Sequence, residues 1–566
     1  MTRTGGPLAR CNVANRLERN SLLGTVCFVA GISIFFFGYD QGLMGGVNTA
    51  RDYAERMGFG HWDEGQRRVV VDRPLLQGGI VAIYYLPGTL LGCLLGGWLG
   101  DRHGRVTTIG LACLWSIFAA ALQSAAMDAT WMLCARLLNG IGTGVLNAVT
   151  PVWAAETAAH TSRGRFIAVE FTLNIFGVDS GTSKYKDPAS SFVWRFPIAF
   201  QIVPLIFLVA VIWLMPESPR WLVKVGRERE ARFILGRLRG DEGEHRVRAE
   251  AEFQDIVSIR NLEQGTARQQ GYFHMFFGIG SGKLHTGRRV QLVIWLQILQ
   301  EWIGIAGITI YGPDIFTIAG ISSQDRLWVS GVNNITYMFA TLICVFTLDR
   351  IGRRWTLYWG AAGQGVCMFV AGGLARAAID AGDSAARNRI GAAATFFVFL
   401  YTAIFGATWL TVPWLYPAEI FPLQVRAKGN AWGVVGWSIG NGWTVLLLPT
   451  IFARLEEKTL YIFGGVNALS IVLVWALYPE SNQRTLEEMD LVFSSSKIWN
   501  WEAERNFARL KSENPQLYRT AHAGCPTEGS LFMRGEGDVA AREEAASSKE
   551  SRELGITDVS QEVKSQ

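Results

Sequence analysis

The sequence predicts an all-α membrane protein in which twelve transmembrane helices form two six-helix bundles, joined by a helical linker on the cytoplasmic side. Three observations predict this class. First, 49% of the 566 residues are hydrophobic and only 18% are charged, a composition too apolar for a soluble protein with one core. Second, twelve apolar runs approach the length of about 20 residues that a helix needs to cross a bilayer. Third, a polar stretch from 217 to 289 divides these runs six and six.

The apolar runs are numbered here as spans 1 to 12 in chain order. They cover residues 22–47, 75–100, 106–127, 131–155, 165–178, 197–215, 290–318, 328–348, 355–378, 393–416, 428–452 and 460–478. Span 5 is short, because only 13 residues, from Phe166 to Val178, precede a polar segment that begins at Asp179. A helix of this length crosses only about 20 Å of a hydrocarbon core that is about 30 Å thick. Either the bilayer and the neighbouring helices accommodate it, or a stretch of chain is missing, which is the interpretation we favour.

The spans divide the chain into five segments. These are a cytoplasmic N-terminal segment 1–21, the first bundle 22–215, the linker 216–289, the second bundle 290–478 and a cytoplasmic tail 479–566. The tail is polar and rich in Glu, Ser, Lys and Ala, so we expect it to be mostly disordered.

Basic residues concentrate in the loops on one side of the predicted bundles. The positive-inside rule makes that side cytoplasmic, together with both termini. The loop 48–74 lies on the other side and does not fit the rule, because it holds five arginines. We therefore expect a multi-pass protein of the plasma membrane, with the lipid bilayer as its partner.

The composition and motifs exclude several other classes. The net charge is +5 and the arginines flank apolar runs, so no basic patch for nucleic acid is present. The eight cysteines show no spacing typical of a metal site or a disulfide framework. The sequence contains no phosphate-binding loop or nucleophile elbow, so we expect neither an enzyme nor a cofactor or metal. We expect a monomer.

Asp40 lies in the middle of span 1, where a charge costs roughly 2.5–3.5 kcal/mol on insertion scales and usually faces a partner or a water-filled pathway. Arg136 begins span 4 and is followed by Gly140, Gly142 and Gly144, which allow helices to approach closely. A buried arginine needs a counter-charge, and Asp40 is the candidate. The pair is either a static structural contact or a proton switch, in which protonation of Asp40 releases Arg136. We favour the switch, with the proton as coupling ion.

The two halves of the sequence repeat three motifs in the same order. Such duplication is typical of transporters whose two bundles move about a central binding site. The pairs are 97–105 after span 2 with 349–354 after span 8, Glu156 before Arg163 with Glu419 before Arg426, and 216–220 with 479–481.

The ordered motifs resemble the sugar porter family of the major facilitator superfamily, and especially its fungal members. They are FGYDQG, GDRHGR, RLLNGIGTG, PVWAAE with RGR, PESPRWL, DRIGRR, PWLYPAEIFP with RAKG, and PESNQRTLEEMD, between about 22 and 490. The resemblance implies the major facilitator fold and transport of a sugar or related polyol by alternating access. An acid at the position of Asp40 is similar to the proton symporters of the family, whereas facilitative animal glucose carriers have an amide there.

The resemblance also implies a gating role for the acids and arginines at the cytoplasmic ends of the spans. In the family these residues form salt bridges between the halves, which keep the inside closed. Partly exposed pairs contribute only about 0–1 kcal/mol each, so they can be made and broken during a cycle. The alternative is that these residues are simply charged side chains in solvent-exposed loops. This would explain the arginines, but not why acids recur at matching positions in the two halves. The residues are Asp101, Arg102, Glu156, Arg163, Glu217, Arg220, Asp349, Arg350, Glu419, Arg426 and Glu480.

The solute site is expected near the midplane, between the halves, where amides, carboxylates and aromatic faces suit a sugar. The candidate residues are Glu170, Gln297, Gln300, Glu301, Tyr311, Trp414, Trp437 and Asn441. Trp414 matches the tryptophan on which the family stacks sugars.

Several positions depart from the family pattern, because amides are lost and carboxylates are gained. The usual Gln-Gln pair of span 7 is Gln300-Glu301, and the usual asparagine after it is Ala306. The asparagine of span 8 is displaced to Asn333 or Asn334. These changes weaken the case for glucose, and they make Glu301 or Glu170 a candidate second titratable group or a contact to a ligand unlike a hexose. The alternatives to a carrier are a nutrient-sensing receptor and a transport-impaired paralogue.

Overall fold

The described part of the chain is almost entirely helical. The computed structural model describes residues 13–65, 68–157, 190–240, 242–265, 271–280, 285–319, 321, 325–422, 425–482, 484, 486–494 and 498–513. Within these residues, eleven helices are long and apolar enough to cross a membrane, which confirms the all-α membrane class. The predicted span 5, with Arg163 and Glu170, lies outside the described residues.

The first half contains five described spans. They are span 1 at Arg19–Val47, span 2 at Pro74–His103, span 3 at Arg105–Ser124, span 4 at Ala129–Thr157 and span 6 at Phe192–Ile212. A short turn at Val13–Asn15 precedes span 1, and a helix at Arg51–Met57 follows it.

The loop between spans 1 and 2 contains the two strands of the described structure. β1 at Gly60–Asp63 pairs antiparallel with β2 at Arg68–Val71, so that Gly60 faces Val71. The sequence analysis treated this segment only as a charged loop. We call the end of the molecule that carries the strands the hairpin face.

Linker helices lie at the opposite end, which we call the linker face. They are Pro219–Lys224, Glu228–Arg239, Gly243–Gly265 and Tyr272–Phe277. The first three share a small apolar core with the beginning of span 1, in which Leu22, Trp221 and Ile234 are buried. The predicted helical linker is therefore present within the described residues.

The described residues of the second half form six spans. They are span 7 at Thr286–Ile310, continued by Gly312–Ile318, span 8 at Arg326–Ile351, span 9 at Arg353–Asp380, span 10 at Ser384–Ala407 with Val412–Ile420, span 11 at Arg426–Leu455 and span 12 at Lys458–Leu477.

The tail differs from the prediction near its beginning, since it contains helices at Leu486–Phe493 and Asn500–Glu513. The second helix docks on span 12 through the rings of Trp475 and Trp501, whose centroids lie 5.0 Å apart. Arg484 also donates to both carboxylate oxygens of Glu504, at 3.0 and 2.7 Å. The expectation of disorder is wrong for residues 500–513, because these contacts order a polar segment. Residues 514–566 lie outside the described part.

Glycines bring the spans of each half into backbone contact. A Cβ atom at Gly92 in span 2 would collide with the carbonyl oxygen of Ile141 in span 4, and one at Gly96 would lie 2.9 Å from the Cα atom of Val145. Likewise, a Cβ atom at Gly436 in span 11 would lie 2.7 Å from the Cα atom of Ile294 in span 7. The small residues therefore permit close helix packing, which brings polar groups of neighbouring spans within reach of one another.

The two halves meet mainly through spans 1, 2, 7 and 11. Near the hairpin face, a Cβ atom at Gly45 in span 1 would lie 2.9 Å from the carbonyl oxygen of Ile310 in span 7. A Cβ atom at Gly78 in span 2 would collide with the carbonyl oxygen of Leu446 in span 11. The halves are therefore in backbone contact at the hairpin face.

Candidate functional site

A buried ion pair lies inside the first half. The Nη1 atom of Arg136 donates to Oδ1 of Asp40 at 3.3 Å, and the Nδ2 atom of Asn139 donates to Oδ2 at 2.9 Å. Both members of the pair are fully buried, and the guanidinium lies 4.4 Å from the centroid of the Tyr84 ring. The Nε and Nη2 atoms of Arg136 have no hydrogen-bond partner among the described residues. Removing one charge from such a pair costs about 3–5 kcal/mol, because the other is left buried and uncompensated.

A wide turn in span 2 places two tyrosines beside this pair. Residues Tyr84–Thr89 form a π-helical turn that contains Pro87, which has no N–H to donate. Such turns often occur at functional sites. The ring of Tyr84 lies against Arg136, while the ring of Tyr85 lies 5.4 Å from that of Trp437. Adjacent residues therefore link the ion pair to the second half of the molecule.

Trp437 is the centre of an aromatic cluster that joins four spans. Its ring lies 5.1 Å from Phe37 of span 1, 5.4 Å from Tyr85 of span 2 and 6.1 Å from Trp414 of span 10. We call these four residues the aromatic cluster. Trp414 and Trp437 were predicted from the sequence, whereas Phe37 and Tyr85 were not, although Phe37 begins the FGYDQG motif.

Glu301 lies next to this cluster and is only 3% exposed. Its carboxylate interacts with the indole of Trp437, and its Oε2 atom has no hydrogen-bond partner. Asn441 is fully buried, and neither polar atom of its amide has a partner in the described structure. Buried polar groups are normally satisfied by protein, water or ligand. These unsatisfied atoms therefore mark a place for polar atoms of a solute or for water.

Span 7 is interrupted directly after Glu301. Residues Glu301–Ile305 form a second π-helical turn, in which Gly304 has a φ of 120°. Side chains are strained in this region of φ, whereas glycine is not. The turn brings Gly304 against the ring of Phe463, which a Cβ atom would approach to 3.0 Å.

The two glutamines of span 7 donate hydrogen bonds to span 10, at and beside the interruption between Ala407 and Val412. The Nε2 atom of Gln297 donates to the carbonyl oxygen of Pro413 at 3.1 Å. The Nε2 atom of Gln300 donates to the carbonyl oxygens of Trp409 and Leu410, at 2.9 and 3.1 Å. The Oε1 atoms of both side chains have no partner among the described residues. The glutamines therefore offer acceptor oxygens, while their NH2 groups hold the backbone.

Tyr311 is placed differently from the other candidates. Its hydroxyl donates to the carbonyl oxygen of Val445 at 3.0 Å, and the side chain is 1% exposed. It therefore ties span 7 to span 11. In span 8, the amide of Asn333 is 1% exposed without partners. Tyr337, one turn further along, interacts electrostatically with Glu301 and was not singled out from the sequence.

A charged cluster at the linker face of the first half is centred on Arg105. The Arg105 side chain pairs with Glu156 and with Asp101, both at 3.1 Å, and Lys224 pairs with Asp101 at 3.0 Å. The backbone N–H of Arg105 donates to Glu217 at 2.9 Å. The cluster therefore joins the ends of spans 2, 3 and 4 to the start of the linker.

The second half repeats this arrangement around Arg353. Its Nη2 atom lies 2.6 Å from Oε1 of Glu419, and its backbone N–H donates to Glu480 at 3.0 Å. Ser481 donates to Glu419 and Asn482 accepts from Arg353, both at 2.6 Å. The repeated motifs thus build matching clusters.

These contacts lie within each half, and the salt bridges between the halves stay a prediction for the state with the inside closed. The described acids Asp101, Glu156 and Glu217 find partners within the first half or the linker, and Glu419 and Glu480 within the second. The physical reason is local, because each hub arginine directly follows a glycine turn that ends the preceding span and is therefore nearest to its own bundle.

The arginines chosen from the sequence are not the hubs of these clusters. The guanidinium of Arg102 lies 5.4 Å from the ring centroid of Trp98. Arg220 and Arg350 form no ion pair with the described residues. The side chains of Asp349 and Arg426 lie outside the described part of the structure.

Two helical halves with repeated motifs, a buried ion pair inside the first half and an aromatic cluster that joins the halves define a membrane carrier. Comparisons with known proteins agree with this class. The family model described as "Sugar (and other) transporter" matches residues 26–493. This chain therefore belongs to the sugar transporter family of the major facilitator superfamily, and it is a transporter and not an enzyme.

Several relatives match most of the chain. The MFS-type transporter criB of Aspergillus cristatus is 29% identical, over 87% of this chain and 98% of the relative. The sugar transporter STL1 of Saccharomyces cerevisiae is 29% identical, over 83% and 81%. A probable quinate permease of Aspergillus fumigatus is 28% identical, over 86% and 90%. Among solved structures, the proton:xylose symporter XylE bound to 6-bromo-6-deoxy-D-glucose matches with a TM-score of 0.67 and 23% identity, over 84% of this chain and 100% of that chain, which supports the same fold.

Proposed function

We propose that this protein carries a sugar or related polyol across the membrane by alternating access, in symport with protons. One observation supports the coupling of proton binding to solute transport. Tyr84 contacts the buried arginine of the ion pair, and its neighbour Tyr85 contacts the aromatic cluster. A change in the charge of Asp40 would therefore alter the packing of a residue adjacent to the solute site.

The protonation of Asp40 would release Arg136 from its only carboxylate partner among the described residues. The arginine would then repack against Tyr84, and the solute site would change with the turn in span 2. We assign the hairpin face to the outside and the linker face to the cytoplasm of the plasma membrane, because basic loops favour the cytoplasm. The protein would act as a monomer, with both termini in the cytoplasm.

The names of the relatives support a solute that carries several hydroxyl groups. They include a sugar transporter and a probable quinate permease, and the structural match is a proton:xylose symporter. The aromatic cluster would stack on the apolar face of a ring. The acceptor oxygens of Gln297 and Gln300 and the amide of Asn441 would bind its hydroxyl groups.

For the charged clusters we propose an indirect role in gating. Asp101, Glu156 and Glu217 in the first half, and Glu419 and Glu480 in the second, would make the linker-face end of each bundle a rigid unit. The halves could then move as bodies, as alternating access requires. Loss of Arg105 or Arg353 would loosen one bundle without breaking a bond between bundles.

The experiment uses purified protein in liposomes with a pH gradient, and labelled D-xylose, D-glucose, glycerol and quinate as probes. We expect the wild type to accumulate one of them against its gradient. The substitution Asp40→Asn should lower the accumulation limit, because the proton that Asp40 carries is lost, but it should preserve exchange of the same probe. The matched control is Asp380→Asn, since that carboxylate is 58% exposed and pairs with an exposed arginine. An accumulation limit for Asp40→Asn equal to that of the wild type would refute the coupling.

Because span 5 is short, the second candidate function is that of a transport-impaired paralogue. Insertion of about eight apolar residues after Val178 would restore a length that crosses the bilayer. Uptake that appears only in the lengthened variant would favour the impaired paralogue. Binding of a probe by the wild type without any uptake, in both variants, would favour a receptor.

A further inference from the structure

We infer that Glu301 is a second proton-binding group, which holds a proton while the solute cavity is closed to water and donates it in a hydrogen bond to the solute. The inference deepens the proposed transport function and rests on it for its role in the cycle. It concerns a different span, a different half and a different chemical setting from Asp40.

The first argument is the absence of a cation around a deeply buried carboxylate. Glu301 is 3% exposed, and its Oε2 atom has no hydrogen-bond partner. Within the described residues, no lysine, arginine or histidine forms an ion pair with it, and the polar group that interacts with its carboxylate is the neutral indole of Trp437. An isolated carboxylate in such a place is so unfavourable that it usually takes up a proton instead.

The described groups that face Glu301 from neighbouring spans 2, 8, 10 and 11 are neutral. Span 2 contributes Tyr85, span 8 contributes Tyr337 and span 10 contributes Tyr401. Span 11 packs on the side chain through Gly440, where a Cβ atom would lie 3.2 Å from the Cβ atom of Glu301. Asp40 on span 1 and Arg136 on span 4 neutralise each other, so this pair presents no net charge to Glu301.

Other buried carboxylates of this chain show the contrast. Asp40 is fully buried and pairs with Arg136. Glu457 is 3% exposed, as is Glu301, but Oε1 of Glu457 lies 3.5 Å from Nη1 of Arg376. A paired carboxylate can stay ionised when buried, whereas an unpaired one cannot do so without a large loss of solvation.

The hydrogen bonding of the surrounding amides indicates how a proton on Glu301 would contribute to binding the solute. The Nε2 atoms of Gln297 and Gln300 donate to backbone carbonyls, and the acceptor oxygens of both side chains have no partner among the described residues. A carboxylic acid at Glu301 adds a donor beside these acceptor oxygens. The proton comes from water when the cavity is open to one face, forms an O–H bond on the carboxylate, and returns to water when the cavity opens to the other face.

The first test needs neither solute nor transport. Infrared spectra of the full-length protein in lipid nanodiscs at pH 7 should show a carbonyl band of a protonated carboxyl group. Glu301→Gln should remove it, while Glu457→Gln, a buried but paired glutamate, should not. Identical spectra for wild type and Glu301→Gln would overturn the inference.

A measurement on the wild type covers the case in which Glu301→Gln does not fold. Dicyclohexylcarbodiimide adds to protonated carboxyl groups in apolar surroundings and leaves an N-acylurea that mass spectrometry locates. We expect modification at Glu301 and none at Glu457, with labelling of Glu301 falling as the pH is raised. An unmodified Glu301 at pH 7 would overturn the inference.

The transport readout separates this inference from the proposed function. With D-xylose as probe and a gradient of one pH unit, two coupled protons permit about 100-fold accumulation and one proton about 10-fold, since each pH unit is worth tenfold per proton. We expect Glu301→Gln to reduce the maximal accumulation from about 100-fold to about 10-fold. An unchanged limit would refute a carried proton at Glu301, whereas failure of the wild type to take up D-xylose, D-glucose, glycerol or quinate would refute the proposed function and leave the infrared result valid.

Discussion

At the scale of single residues, the repeated motifs work through backbone capping as well as through charge. Gly104 and Gly352 have φ values of 97° and 93°, a region that favours glycine. The residue after each glycine begins a span, and its free N–H is bonded by the carboxylate of Glu217 or Glu480, at 2.9 and 3.0 Å. Acids at a helix N-terminus satisfy unpaired N–H groups and match the helix dipole.

The capping interpretation predicts the effect of Glu480→Ala. Loss of the carboxylate should destabilise the protein by about 0.5–2 kcal/mol, as for other N-terminal caps. Thermal unfolding can be followed with a thiol-reactive dye, because Cys113, Cys344 and Cys367 are buried. The control is Glu456→Ala, whose side chain is exposed. An equal unfolding temperature for both variants would contradict the capping role.

A second residue-scale prediction concerns pH at the hairpin face. The hydrogen bond of 2.8 Å from His61 to Asp72 raises the pKa of the exposed histidine. A histidine with a raised pKa in the folded state favours the contact below its ordinary pKa of about 6.5, and this contribution is lost as the pH rises through the raised value. By NMR, Asp72→Asn should lower the pKa of His61 towards the ordinary value. A pKa of His61 that does not move would contradict the ion pair.

Sequence reasoning reached some of these residues and missed others for physical reasons. Asp40 and Arg136 could be matched because two buried charges of opposite sign need each other. Arg105 and Arg353 were passed over as hubs because the sequence does not show where a side chain points after a glycine turn. Tyr337 was missed because the expected residue type in span 8 was an amide.

At the scale of elements, apolar runs predicted the described spans well, because crossing a bilayer requires a long apolar helix. Breaks inside spans were harder to predict. The π-helical turn at Glu301–Ile305 depends on the packing of Gly304 against Phe463. β2 was missed although Val69, Val70 and Val71 form a β-branched run typical of strands, because the arginines of this loop dominated its interpretation.

The glycines of span 2 lead to a prediction about helix packing. Gly92→Val would place atoms on the backbone of Ile141, so it should force spans 2 and 4 apart and destabilise the protein by about 1–3 kcal/mol or more. Gly79→Val is the matched control, because a Cβ atom there meets nothing within 4 Å. The yield of monodisperse protein and its unfolding temperature should fall only for Gly92→Val. Equal losses in both variants would indicate that helix propensity, and not packing, is responsible.

At the scale of the whole molecule, the halves are held together by helix contacts and not by the charged clusters. Span 2 lies along span 11, with Gly78 against Leu446 and Leu86 against Gly442. Within each half, acids and arginines join the span ends to one another. Rigid halves with a glycine-lined interface are suited to rocking motions. The motifs predicted two halves, but they could not show which helices form the interface, because glycine occurs throughout the spans.

Contact between the halves at the hairpin face leads to the last prediction. A leucine at Gly45 would press on the carbonyl oxygen of Ile310, since a Cβ atom there would lie only 2.9 Å away. The variant Gly45→Leu should therefore hold spans 1 and 7 apart and favour the state that is open at the hairpin face. Hydrogen exchange of the hairpin-face ends of spans 1, 2, 7 and 11 should rise, and uptake of any transported probe should fall. The control Gly24→Leu lies in the same helix with nothing within 4 Å, so its exchange should match the wild type. Unchanged exchange in Gly45→Leu would mean that spans 1 and 7 do not close this face, and the alternating movement would then have to rest on spans 2 and 11 alone.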